Sequence, residues 1–477
     1  MTYSAKFILN TQIIMKRFFT LLAVGAMAIM AFSCETEQPA DQGGIPAPEF
    51  SANANENSIT VSWTSVEGAA YYQIWLNNDE PTKTDKNVHR FDSLKWDTEY
   101  TVNLQAIAAD GNNSVVASKK VVIAARKVPV YREWYPQNGS TATAISDNGR
   151  YVVGCFDRQG MIIDLESDEL TMIENFDCLD VADDGVIVGA TYEDSQSGEA
   201  AMYINGKSMK LDLSELTKSD MSSLQAVTPD GLFAVGWWWE YDSESYYGKM
   251  FDTIVPFAYD VLKDRIIVLE AGDTLYGVGA VAPYGVSPDH KIVGCEQGYA
   301  MMAVMWEDEY SKFTYPVFEY DDEYRPTLSF GDTQVRMTPN AKYIYSVAKT
   351  YPEGGGEVAQ PACYNLETGE LTMFEGTCFN GSVTAMTDDG IAFLNDVPFY
   401  LGTTSYVVDL NDPELKQVPI IDWMIDEHGF NVYDYIQDGV ITIGASADGR
   451  TILGITNTDM GWLTYVIDLD GEPMPEK

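Results

Sequence analysis

Seven times this chain repeats a Ser or Thr (Ala182 in the second copy), a short polar step, an Asp or Asn, usually a Gly, and then a β-branched run that often ends in Gly. Ser146-Asp147-Asn148-Gly149 precedes Tyr151-Val152-Val153-Gly154, Asp183-Asp184-Gly185 precedes Val186-Ile187-Val188-Gly189, and Thr228-Pro229-Asp230-Gly231 precedes Phe233-Ala234-Val235-Gly236. Ser287-Pro288-Asp289-His290, Thr338-Pro339-Asn340-Ala341, Thr387-Asp388-Asp389-Gly390 and Ser446-Ala447-Asp448-Gly449 complete the set. The copies recur about every 50 residues, within the range of units built from four strands.

Asp-Gly and Asn-Gly supply the positive φ of a tight turn, and the flanking Val, Ile, Tyr and Phe favour extended backbone, so each copy reads as strand, turn, strand. A second hairpin follows. Met161-Ile162-Ile163-Asp164-Leu165 with Leu170-Thr171-Met172-Ile173 is one, Pro256 to Asp260 with Arg265 to Leu269 another, and Ala362 to Leu366 with Leu371 to Phe374 a third. Two hairpins per period give four antiparallel strands. Seven periods predict a seven-bladed β-propeller over residues 127–477, an arrangement that leaves only short strand edges.

The last period runs out of chain. After Thr464-Tyr465-Val466-Ile467-Asp468-Leu469 only Gly471 to Lys477 remain, too Pro-rich for a good strand. Val130-Tyr131-Arg132-Glu133-Trp134-Tyr135, ahead of the first period, has no partner nearby and is expected to complete the seventh blade.

Composition suits an all-β chain: 45% of the 477 residues are hydrophobic, with abundant Gly and Tyr. The net charge of −43 repels phosphate backbones and so disfavours nucleic acid as a partner. Solubility is its plain explanation. No cofactor is expected, and cation binding, calcium included, is the alternative that the charge leaves open.

Lys16 and Arg17 precede an apolar stretch from Phe18 to Met30, the charged and hydrophobic regions of a secretory signal. Ala31-Phe32-Ser33-Cys34 follows and resembles the lipobox of bacterial lipoproteins. That resemblance implies a signal peptide over 1–33, lipidation of Cys34, and a polar tether over 34–45. The acidic residues after Cys34 resemble the export signals of Gram-negative surface lipoproteins. They imply a chain anchored to the outer membrane and exposed at the cell surface.

Residues 46–126 form a distinct block. Ile59-Thr60-Val61-Ser62-Trp63 alternates, Tyr71-Tyr72-Gln73-Ile74-Trp75 follows, and Leu94 to Ala106 closes the pattern. The block resembles a fibronectin type III domain. Trp63 is placed like that family's core Trp, and the Leu94 to Tyr100 spacing like its tyrosine corner, whose hydroxyl ties back to the backbone. The resemblance implies a β-sandwich without catalytic residues, acting as a spacer.

Besides Cys34 there are Cys155, Cys178, Cys295, Cys363 and Cys378, an odd number with no metal-ligand spacing. Cys363 and Cys378, on neighbouring strands, could pair. His89, His290 and His428 give poor support for a Ser-His-Asp site, and His290 reads as a turn residue in the place of Gly. Among 72 acidic residues coincidental carboxylate pairs are unavoidable, and the Asp residues of the repeat read as Asx-turn formers. No catalytic or metal-binding residue is assigned.

Longer, aromatic insertions fall on the propeller face opposite the Asp-Gly turns. They offer Trp237, Trp239, Tyr246, Tyr276, Tyr324, Tyr351, Trp423 and Tyr433 as ligand-binding candidates. Aromatic planes beside carboxylates suit sugar rings, and equally a protein partner. The expected function is a surface binding module for an extracellular glycan or protein. The alternative is a glycan hydrolase or lyase with an acidic site in the propeller funnel.

Overall fold

The computed structural model describes residues 44–473 apart from 56, 125–126, 137–138, 194–195, 243–250, 272–279, 298–300, 322–325, 333–334, 353–355, 377–380, 397–403, 437–438 and 459–460. It is all-β, with one short α-helix among the described residues. Backbone contacts divide the chain into two units, the second running Val128–Gly471.

In the first unit, alternating residues of Phe50–Asn55, Ser58–Trp63 and Val88–Phe91 make one sheet; Thr82–Thr84, Ala69–Leu76, Thr98–Ala108 and Ala117–Ile123 make the other. Ile59, Val61, Ile74, Val102, Leu104 and Ile123 are fully buried, and Trp63 packs edge-on against Tyr72 at 5.4 Å between ring centroids. The Tyr100 hydroxyl accepts a hydrogen bond from the Lys95 N–H at 2.9 Å, which is the tie that the spacing of Leu94 and Tyr100 implied.

The second unit is a succession of sheets in chain order, seven among the described residues. Sheet I is Thr141–Ile145, Tyr151–Phe156, Gln159–Asp164 and Glu169–Glu174, all antiparallel. Sheets II, III, IV and VI have the same order, beginning at Phe176–Val181, Ser222–Val227, Ala280–Val286 and Ser382–Met386. Sheet V adds a hairpin, Phe318–Tyr320 with Pro326–Phe330, and its short strand Arg336–Met337 pairs with Tyr343–Thr350. Sheet VII consists of Ile441–Ala445, Thr451–Thr458 and Gly461–Pro473, and its fourth strand is Lys127–Trp134 from the other end of the unit. The segment around Val130 to Trp134 therefore completes the last sheet.

The core is not one mass but a series of interfaces. Each of seven buried clusters is shared by two consecutive sheets. Val152, Val153, Ile163 and Met161 of sheet I serve the clusters on its two sides, Phe257 joins II to III, and Phe330 joins IV to V. The remaining cluster closes the circuit, packing Ile441, Leu453 and Val466 of sheet VII on Ala142 and Ile163 of sheet I. Hydrogen bonds cross the same seams: Thr143 Oγ1 donates to the Cys178 carbonyl at 2.8 Å, Asn395 Nδ2 to that of Thr442 at 2.8 Å, and the Ala447 N–H to that of Asp147 at 2.8 Å.

Why the repeat ends in Gly is now physical. In the first strand of sheets I to IV, VI and VII one residue is bulged out of register, between 142 and 144 in sheet I, 224 and 226 in sheet III, and 283 and 285 in sheet IV. The carbonyl just before the bulge presses on the neighbouring strand. A Cβ at Gly154, Gly236 or Gly294 would lie 2.2 Å from the oxygen of Thr141, Ser223 or Ala282. Only the residue without a side chain fits that approach. The sixth period keeps the bulge with Leu394 opposite, so the rule is not absolute.

Candidate functional site

The turn chemistry divides the repeat's polar residues into two sets. The Ser or Thr hydroxyl is buried and grips its own turn: Ser146 Oγ accepts from the Tyr151 N–H at 2.9 Å, Thr228 Oγ1 from Phe233 at 3.1 Å, and Ser446 Oγ from Thr451 at 2.9 Å. The same hydroxyl donates to the Asp or Asn two residues on, at 2.8 Å to Asn148 and 2.6 Å to Asp230 and Asp448. Those residues are Asx-turn formers as expected. His290, at φ +63°, holds its turn in glycine's place and stacks on Phe233 at 4.1 Å.

The residue between hydroxyl and turn-former does something else. Other copies place Pro or Ala there, whereas Asp147, Asp183 and Asp388 occupy it in the first, second and sixth. Asp183 accepts from the Asn148 N–H of sheet I at 2.8 Å, and Asp388 Oδ2 accepts from both the N–H and the Nδ2 of Asn340 in sheet V at 2.9 Å. These are latches between sheets, so the Asx-turn reading does not cover them. Asp388 Oδ1 is buried and unpartnered.

A fourth carboxylate, Asp180, stands within electrostatic reach of these. Asp180, on the last stretch of the first strand of sheet II, accepts from the Val227 N–H of sheet III at 3.0 Å. Asp147 has its acidity weakened to about 7, first by burial and then by repulsion from Asp183, Asp180 and Asp388. Burial likewise pushes Asp180 up to about 6, against the pull of the Val227 N–H and the Arg336 guanidinium. Both keep some solvent contact although protein crowds them from most sides. Tyr345, only 8% exposed, feels Arg336, Asp147 and Asp180, and its hydroxyl is pushed up to about 12, chiefly by burial. Six residues from sheets I, II, V and VI thus share one electrostatic environment. None was assigned as a site residue from the sequence, where Asp147, Asp183 and Asp388 read as turn formers and their one distinguishing signal was Asp standing where sister copies have Pro or Ala.

The aromatic candidates are dispersed. Trp237 and Trp239 lie half-buried on Phe233–Asp242 of sheet III, flanking Trp238, which is buried against Phe257 at 5.4 Å. Tyr351, half-buried, follows Tyr343–Thr350 of sheet V with its hydroxyl 3.3 Å from Ser329 Oγ. Trp423 and Tyr433 share one insertion between sheets VI and VII. Tyr246, Tyr276 and Tyr324, like Cys34 and Cys378, lie outside the described residues.

That insertion is well anchored. Its helix α1, Ile420–His428, follows Pro419, buries Ile420 and Met424 one turn apart, and ends at Gly429 in the left-handed conformation, φ 65°. Phe430, Val432 and Ile436 join them in the cluster shared with Tyr465 of sheet VII. Trp423 packs edge-on against Phe393 and His428 and is half-buried. By contrast Tyr433 is 59% exposed, and Tyr435, 54% exposed, stacks on Tyr131 at 4.7 Å and on Phe430 at 5.5 Å. Tyr435 was not among the residues picked from the sequence, although it stands two positions from one that was.

The chain is therefore an all-β protein that carries a fibronectin type III domain, matched over residues 46–121. A 79-residue stretch is 34% identical to the tail tube protein gp17.1* of Bacillus phage SPP1, covering 15% of this chain and 29% of that protein. The chain spans less than a third of the length of that curated relative. Among solved structures, the FN5 domain of Drosophila Lar is similar at 23% identity, with 16% of this chain and 97% of that one covered and a TM-score of 0.14. A structure of two prolyl endopeptidases is similar at 10% identity over 88% of this chain and 54% of that one, with a TM-score of 0.41.

Proposed function

We propose that residues 127–477 form a seven-bladed β-propeller held outside the cell by a lipid on Cys34, and that this propeller binds an extracellular glycan or protein through its loop-bearing face. The closed circuit of sheets and the strand that Lys127–Trp134 lends to sheet VII support the architecture. The binding reading rests on one observation above all: Tyr433 and Tyr435 stand exposed on an insertion whose other side is fixed in the core. A rigid support under exposed aromatic planes lowers the ordering cost of binding. The fibronectin type III unit acts as spacer between lipid and propeller. Calcium remains an alternative ligand of so acidic a chain.

A glycan array probed with wild type and with a Tyr433→Ala, Tyr435→Ala double variant tests this. Binding that falls at least tenfold in the variant supports it, and unchanged binding sinks the assignment of the face. If no glycan binds, a protein partner is sought with the same pair of proteins. The second reading, a hydrolase or lyase, is favoured only by the weakened acidity of Asp147 and Asp180. Release of reducing sugar by wild type and its loss in Asp180→Asn would establish it instead.

A further inference from the structure

The seam between sheets I and II carries a cysteine on each side, both of them thiols in this structure. Cys155 follows Gly154 on the second strand of sheet I, and Cys178 stands on the first strand of sheet II, fully buried in the cluster that joins the two sheets. Directly opposite Cys155 in the register of sheet I is Gly160. A Cβ added there would lie 2.4 Å from the Cys178 sulfur and 2.8 Å from the Phe176 carbonyl oxygen, so the missing side chain lets the strand of sheet II approach to backbone distance. Facing residues of paired strands set their Cβ atoms only about 4.5–5.5 Å apart on the same side of the sheet. The Cys178 sulfur, seated where Gly160 has no side chain, therefore lies beside that of Cys155. Two hydrogen bonds hold it there: the Phe176 N–H donates to the Arg158 carbonyl at 3.0 Å, and Thr143 Oγ1 to that of Cys178 at 2.8 Å. The two thiols also feel each other. Burial and then Asp177 push Cys155 up to about 12, against the pull of the Cys178 N–H, while burial and then the Cys155 sulfur raise Cys178.

The repeat supplies a comparison. Across the next seam, between sheets II and III, the same two positions hold Ala190 and Leu224, each placed by the glycine and the bulge of its sheet. Cys295 and Cys363 belong to the clusters joining IV to V and V to VI, out of reach of this pair. We infer that Cys155 and Cys178 close a disulfide that staples sheet I to sheet II. The bond forms by exchange with a disulfide oxidant, such as oxidised glutathione or a dithiol oxidase. The thiolate of Cys155, the less buried of the two, attacks one oxidant sulfur and expels the other as a thiolate; the Cys178 thiolate then attacks the Cys155 sulfur and expels the second. Two protons and two electrons leave the chain, and one oxidant disulfide becomes two thiols. Only the thiolate is nucleophilic, and the finished seam holds both groups protonated, so closure belongs to folding, before the seam shuts. An exported chain meets such an oxidant, but the pairing itself rests on neither lipidation nor the aromatic face.

The full chain is unfolded, reduced and refolded in a glutathione redox buffer; remaining thiols are then alkylated and the chain is cut with trypsin without reduction. Cleavage after Arg150, Arg158 and Lys207 puts Cys155 and Cys178 on separate peptides, and the expected product is that pair joined, two hydrogens lighter than the two apart. A disulfide closing a loop of roughly 20 residues restricts the unfolded chain, so adding reductant to the oxidised protein should lower its melting temperature by about 5 °C. Cys155→Ser, at a half-buried position, should fold and lose that response; Cys178→Ala should lose it too, and Cys363→Ser should keep it. Three results overturn the inference: both cysteines recovered alkylated, either one joined to a different cysteine, or an equal response to reductant in Cys155→Ser.

Discussion

At the scale of single residues, the repeat carries two kinds of information, and only one was readable in advance. The hydroxyl and the Asp two positions on act within their own turn, so local spacing revealed them. The glycine that ends the second strand was visible as a pattern, but its cause is a bulged carbonyl on the preceding strand, which no local rule announces. Replacing Gly236 by Ala sets a methyl 2.2 Å from the Ser223 oxygen and is expected to cost about 3 kcal/mol; a urea midpoint that does not move would contradict this. Asp147, Asp183 and Asp388 were hidden for a related reason, since their neighbours lie one or more periods away in the chain. Burial raises Asp147 and Asp180 above the ordinary carboxylate value of 3.8. The folded state therefore holds protons more tightly than the unfolded one. Stability from these two groups is complete below about pH 4 and falls as pH rises toward about 7. Asp147→Asn should accordingly gain ~1 kcal/mol at pH 8 and almost nothing at pH 4, as thermal melts at the two pH values would show.

At the scale of elements, hairpins with turn residues between β-branched runs were legible nearly strand by strand, because both signals are local. The extra hairpin of sheet V and helix α1 were not, since each interrupts the period. A 3.6-residue pattern only nine residues long, Ile420–His428, is too brief to stand out beside strands. The aromatic candidates on the insertion were found as a composition bias; which ring is buried and which exposed depended on packing against sheet VII. Strand Lys127–Trp134 was legible as an orphan, and its partner followed from counting. Removing residues 127–134 exposes the backbone of Gly461–Pro473 and strips Trp134 from the cluster joining sheets VII and I. The expected outcome is a melting temperature lower by 5 °C or more for the whole unit, in one broadened transition. An unchanged transition would show that the circuit does not need its fourth strand there.

At the scale of the whole molecule, the two units differ in what holds them. The fibronectin type III unit has one core between two sheets, whereas the second unit distributes its apolar residues over seams, each dependent on the next sheet. The net charge of −43 falls almost wholly on the second unit, since residues 46–126 carry ten acidic residues against seven Lys and Arg, and it keeps such surfaces apart in solution. The proposed address makes a separate prediction: Cys34→Ala should move the chain from the membrane fraction to the soluble one, and persistence in membranes after that change would rule out the lipid anchor.

Because the strand that completes sheet VII is made before the other strands of its unit, the order of synthesis opposes the order of assembly. Lys127–Trp134 emerges ahead of sheets I to VII and waits, with its backbone donors unsatisfied, until Gly461–Pro473 has been delivered. A chain cut short anywhere in between keeps a bare edge able to recruit other chains. Delivery of Gly461–Pro473, rather than the folding of any one period, is thus the event that removes the bare edge.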